Sequence, residues 1–171
     1  EHTAGAVYGE ISQNGRFGIF TTAEIIPMLH SYRTERMEVF DQRSNLILID
    51  FEQGTVTDSP CITGKEYQET FPCFSADNQT IYFCRAPYLP QPDNTRQMRY
   101  DLYSISFNPQ TGQLGDSIHE VFRASSEEKS VSFPKCSPDV QYLLFSLSDY
   151  GTFPIWHPET DLWMLELATG R

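Results

Sequence analysis

Half of the twelve basic residues in this 171-residue chain are arginines within three polar segments, about 22–44, 85–100 and 148–160. They are Arg33, Arg36, Arg43, Arg85, Arg96 and Arg99. A guanidinium fork matches carboxylate and phosphate oxygens bidentately and stacks on aromatic rings. The same segments hold His30, Tyr32, Tyr88, Tyr100, Tyr150, Phe153, Trp156 and His157. Arginine, tyrosine and tryptophan are the residues enriched at binding hot spots. Seven acids accompany the six arginines, so the segments carry −1 and the rest of the chain −10 of the formal −11. Singly, each aromatic reads as loop packing. Together, Tyr32, Arg33, Arg36, Arg85, Tyr88, Arg96, Arg99, Tyr150, Phe153, Trp156 and His157 read as a candidate binding face.

Catalytic and metal signatures are missing. The chain holds no Gly-x-Ser-x-Gly, no His-Glu-x-x-His and no phosphate-cradling glycine loop. Gly115-Asp116-Ser117-Ile118-His119 opens like a nucleophile elbow but lacks its second glycine. His30 and His119 have no partner at metal-ligand spacing, and His157 before Pro158 reads as extended loop. Asp77 and Asp139 fit turns, where aspartate bonds its own backbone, better than metal sites. The expectation is therefore no catalytic residue, no metal and no cofactor. Cys61, Cys73, Cys84 and Cys136 are irregularly spaced and read as small buried hydrophobes, although an exported protein could join one pair. Asn78-Gln79-Thr80 matches a glycosylation acceptor but lies inside a turn motif. The acidic charge excludes a nucleic-acid footprint and suits solubility. No apolar run approaches the ~18 residues of a membrane span.

The elements that must position these residues come from a repeat. Ser12-Gln13-Asn14-Gly15-Arg16, Ser75-Ala76-Asp77-Asn78-Gln79 and Ser137-Pro138-Asp139-Val140-Gln141 recur at offsets of 63 and 62 residues. A fixed period of this size signals a repeat architecture. Each pentamer precedes a short apolar run: Phe17–Phe20, Thr80–Cys84 and Tyr142–Phe145. Such runs, aromatic and β-branched beside turn residues, predict buried strands. Phe71-Pro72 and Phe133-Pro134 precede two of the pentamers, and Tyr8-Gly9 stands near the first. After a long insertion, each repeat resumes with a second strand. Alternation there predicts three apolar trios packed between sheets: Ile47/Ile49/Phe51, Tyr103/Ile105/Phe107 and Trp163/Leu165/Leu167. Gly54, Gly112 and Gly170 close these strands as turn glycines.

The succession of aromatic-Pro, Ser-Pro-Asp, apolar strand, Asp-Leu-Trp and Thr-Gly resembles the WD40-like β-propeller repeat of TolB-type proteins. Phe133-Pro134, Ser137-Pro138-Asp139, Asp161-Leu162-Trp163 and Thr169-Gly170 match best. The second copy has Ala76 for the proline, and the first has Asn14 and Asn45 for two aspartates. The resemblance implies an all-β propeller of about three blades, with repeats at about 5–66, 67–128 and 129–171, the last truncated. Closed propellers have about four to eight blades, so an incomplete ring or a fragment is expected. Its open blade edges would favour self-association. The chain opens at Glu1 without a charged-apolar-small signal pattern, so any leader is expected to have been removed or left out.

In a propeller the long insertions emerge on one face, where repeat proteins often bind. The resemblance implies a non-enzymatic scaffold in the bacterial envelope or periplasm, with a protein or peptide partner or a glycan. The other reading is the substrate-gating propeller of a serine peptidase of the dipeptidyl peptidase or tricorn type, with its catalytic domain elsewhere. A Gly-x-Ser-x-Gly beyond Arg171 would separate the two.

Overall fold

A computed structural model describes residues 5–30, 36–57, 59–90, 97–149 and 159–171, with side chains throughout these except at 25–30 and 36–40. The fold is all-β and consists of three antiparallel sheets. The first joins β1 (Gly5–Ile11), β2 (Phe17–His30), β3 (Arg36–Asp50) and β4 (Thr55–Thr57). The second joins β5 (Tyr67–Phe74), β6 (Thr80–Pro87), β7 (Asp101–Asn108) and β8 (Gln113–Phe122). The third joins β9 (Ser130–Cys136), β10 (Tyr142–Ser148) and β11 (Thr160–Glu166). Within each sheet the strands lie in chain order, so each is a meander. This is a partial β-propeller with the sheets as blades.

The repeated pentamers are turns built by their own side chains. Ser75 Oγ accepts the backbone N–H groups of Gln79 and Thr80, at 3.1 and 2.9 Å, and Asp77 Oδ1 accepts Gln79 N–H at 3.0 Å. Ser137 with Asp139, and Ser12 with Asn14, repeat two of these bonds, from the sixth residue to the serine and from the fifth to the third. The fourth residue adopts a positive φ each time: Gly15 at 74°, Asn78 at 57° and Val140 at 59°. Glycine and asparagine tolerate that region, whereas a β-branched valine is strained there. Asp77 and Asp139 are therefore turn residues. At the far end of the second strand pair, Gly54, Gly112 and Gly170 donate to the carbonyls of Asp50, Asn108 and Glu166, each at 2.8 Å.

A second device marks the innermost strands. Phe71 and Phe133 have φ of 51° and 52°, each in a β-bulge ahead of a proline. Val7 and Tyr8 occupy the corresponding bulge of β1, just before Gly9. The three bulges bring their rings together although they are far apart in sequence. Centroids are 4.5 Å apart for Tyr8–Phe71, 4.3 Å for Phe71–Phe133 and 6.0 Å for Tyr8–Phe133.

Two apolar layers hold the blades together. Phe17, Ile19 and Leu48 of the first sheet meet Ile81, Phe83 and Phe107 of the second. Cys84 and Leu102 on the opposite face of the second sheet meet Leu143, Phe145 and Leu165 of the third. Full burial of side chains of this size contributes roughly 1.5–3 kcal/mol each. All four cysteines are free: Cys73 and Cys84 are buried, Cys61 and Cys136 half-buried.

The predicted apolar trios need correction. Ile105 and Phe107 are buried and Tyr103 is partly so. In the first sheet the buried residues are Leu46 and Leu48, on the other face. Ile47 and Ile49 are half-buried and Phe51 is 47% exposed. In the third sheet Leu165 is buried, but Trp163 is 44% exposed. A propeller strand has two apolar faces, and among the described residues only the second sheet has a neighbour on both.

The segment 22–44, read from the sequence as a long connection, is largely a hairpin. β2 and β3 pair from Phe17↔Asp50 out to His30↔Arg36. Arg36 is thus a strand residue, and Arg85 likewise lies within β6. Tyr100, read as a loop aromatic, is 5% exposed and belongs to the core.

Candidate functional site: a basic groove at one end of the second blade

Antiparallel order places the start of β5, the end of β6, the start of β7 and the end of β8 at one end of the second sheet. The insertion between β6 and β7 leaves from that end. Two adjoining depressions open there and share Tyr67 as their common wall. One, about 490 Å³, is lined by Arg43, Asn45, Gly64, Lys65, Tyr67 and Tyr88. The other, about 460 Å³, is lined among others by Tyr67, Arg85, Arg99, Asp101, Tyr103 and Arg123.

Arg85 is the centre of this groove. Strand register sets it between Glu69 on β5 and Asp101 on β7. Its guanidinium carbon stacks 3.8 Å from the centroid of the Tyr67 ring and 5.8 Å from that of Tyr103. Its Nε lies 3.1 Å from Glu69 Oε1 without the alignment of a hydrogen bond. Glu69 is 1% exposed, and burial pushes its carboxyl up to about 7 against the opposing pull of Arg85. Its Oε2 has no hydrogen-bond partner among the described residues. Nearby, burial lifts Asp41 to about 6 while a 3.2 Å bond from Thr70 Oγ1 opposes the shift.

The remaining arginines are fastened around this centre. Arg99 donates through Nε to the Glu128 carbonyl at 2.6 Å and through Nη1 to that of Met98 at 2.7 Å. Arg123 places Nε and Nη2 on Glu120 Oε2, at 2.9 and 2.6 Å. Asp101 accepts both the backbone N–H and the hydroxyl of Ser125, at 2.7 and 2.8 Å. Across Tyr67, Gln42 Nε2 donates to the Tyr88 hydroxyl at 3.0 Å. Bonds from Gln42 and Arg43 hold the Tyr88 phenol below its ordinary range. Arg43 itself has φ of 51° and faces Glu24 at 3.5 Å. A positive φ at a bulky residue is costly and is found preferentially at functional sites.

Of the sequence-predicted face, the structure brings Arg85, Tyr88 and Arg99 to this groove. Tyr32, Arg33, Arg96, Tyr150, Phe153, Trp156 and His157 lie outside the described residues, and Arg36 is described in its backbone alone. Sequence reasoning missed Tyr67, Tyr103, Lys65 and Arg123. The signal was present: in a four-strand meander, the residue entering the first strand and the one leaving the fourth share an end with the second-to-third connection.

No family model and no curated relative matches this chain. Solved structures do. TolB from Acinetobacter baumannii superposes with a TM-score of 0.53 at 11% identity, covering 100% of this chain and 32% of that one. A TolB-type protein of Agrobacterium tumefaciens gives 0.56 at 14% identity, covering 99% and 65%. An apocarotenoid oxygenase of Synechocystis gives 0.51 at 14%, covering 98% and 37%. The chain thus spans about a third of the Acinetobacter TolB chain. At these identities the likeness is one of fold, and the fold is that of a TolB-like β-propeller.

Proposed function

We propose that this chain is part of a non-enzymatic propeller that serves as a binding scaffold in the bacterial envelope, with the groove at the end of the second blade as its contact surface. One observation carries the reading. Arg85, Arg99, Tyr67, Tyr88 and Tyr103 converge on two joined depressions, supplied by separate strands and connections. These are recognition groups: planar cationic forks and rings with a hydroxyl at the rim. The superfold itself hosts many functions, so the reading rests on the groove.

The test places a photo-crosslinking amino acid at Tyr88, and as a control at Arg171, in the protein expressed within its full coding sequence in a bacterial envelope. An adduct to another protein from position 88 and not from 171 is expected. Absence of any adduct from position 88, or labelling of the protein by an active-site serine probe, overturns the reading.

A further inference from the structure

The charge of the groove narrows what it takes. Among the described residues, five of the chain's twelve bases line it: Arg43, Lys65, Arg85, Arg99 and Arg123. Of the twenty-three acids, Asp101 alone does so among the described residues, and its oxygens are engaged by Ser125. Lining residues therefore carry +4 in a protein whose formal charge is −11. Three carboxylates pair with lining arginines: buried Glu69 with Arg85, and the more exposed Glu120 and Glu24 with Arg123 and Arg43. They orient the guanidinium groups and offset part of the charge. Arg123 spends Nε and Nη2 on Glu120, which leaves Nη1 for a ligand. Lys65 is exposed and makes no ion pair or hydrogen bond among the described residues.

Resting on the scaffold reading above, we infer that the groove binds an acidic peptide segment of a protein partner, laid across Tyr67 from the Lys65 side to the Arg123 side. The divided shape favours a chain over a single small anion. Cations sit on both sides of Tyr67, so a ligand that satisfies both must carry at least two negative groups joined by a linker. Aspartate and glutamate side chains on an extended segment provide this. Guanidinium forks take carboxylates bidentately, and the Tyr67 and Tyr88 rings offer flat apolar contact between the charges.

The experiment is fluorescence anisotropy with three short labelled peptides, Asp/Glu-rich, Ser/Gly-rich and Lys/Arg-rich, at about 0.15 M ionic strength, where long-range attraction is screened. The acidic peptide is expected to bind best, although the protein is acidic overall. Lys65→Glu and Arg123→Glu should each weaken it ~tenfold, about 1.4 kcal/mol, with unchanged thermal melts. Arg171→Glu makes the same change of charge away from the groove and should leave affinity unchanged.

Three results overturn the inference: equal or better binding of the neutral or basic peptide, an equal loss on Arg171→Glu, or full displacement by inorganic phosphate alone. If the acidic peptide fails while the position-88 adduct persists, the scaffold reading stands and the ligand class falls. If both fail, both fall.

Discussion

The second blade and its two neighbours are built on one sequence pattern and end in different environments. Phe107 and Phe51 hold matching places at the ends of matching strands. Phe107 is 4% exposed, with the rings of Phe17 and Phe74 at 5.1 and 5.5 Å, whereas Phe51 is 47% exposed. On the far side of the third sheet, Leu162 and Met164 are 75% and 60% exposed. The pattern encodes a strand with two apolar faces, and the neighbouring blade decides whether a face becomes core. Ile11, Phe51 and Val56 at one end, and Leu162 and Met164 at the other, are blade faces without a blade among the described residues.

The strongest way to break this comparison is to truncate the matched pair. Phe107→Ala should cost about 3–5 kcal/mol, since it opens a cavity in a close-packed layer. Phe51→Ala should cost less than ~1 kcal/mol, as surface changes usually do. Urea unfolding of the two variants measures both. Equal costs would mean that the first sheet's outer face is covered in solution, and light scattering of the 171-residue chain would then show an associated species. With Phe51 left exposed, association is expected instead through the third sheet's outer face, and Leu162→Lys with Met164→Lys should reduce it.

Next in size is the buried pair under the groove. Arg85→Ala removes a counter-charge from a carboxylate that is 1% exposed, so a loss of about 3 kcal/mol is expected. Glu69 also gives stability a pH dependence. An acid whose pKa is raised on folding is protonated more readily in the folded state. Its contribution is fully present below the unfolded value, roughly 4, and is lost as pH rises through about 7. Asp41 adds the same sign over a window ending near 6. Melting temperature against pH should therefore be flatter in Glu69→Gln than in the parent between these limits. An identical profile would place the pH dependence elsewhere.

The smallest effect compares the three turns. Val140 holds a φ of 59° where the other copies have Gly15 and Asn78. Val140→Gly should stabilise by ~1 kcal/mol through relief of strain, while Gly15→Val should destabilise by at least as much. Thermal melts of both variants check this. No gain at Val140 would mean that its side-chain packing outweighs the strain.

Much of the fold was legible because turns are local chemistry. Ser75 and Asp77 bond within five residues, so the pentamer can be read without knowing what lies above it. The face choice at Ile47 against Leu46 could not be read that way, because both residues are apolar and the decision belongs to Phe83 and Ile81 on another sheet. In the groove, Arg85 and Arg99 were visible as arginines beside an insertion. Tyr67 and Lys65 were not, since they enter only when strand order folds the start of β5 against the end of β6. The hairpin over 22–44 was missed because its length and polar content resemble a loop, while its backbone pairs out to His30↔Arg36.

The cysteines supply a clock. Cys84 sits between the second and third blades, and burial holds its thiol well above the ordinary range. Cys73 is likewise buried and shifted upward. The thiolate is the reactive species, so neither sulfur reacts until the blades part. Cys61 and Cys136 are reachable from the start. Under an alkylating reagent the protein should therefore take up label in two phases. The rate of the slow phase reports how often one blade lifts from the next, a motion that a static arrangement of sheets does not display.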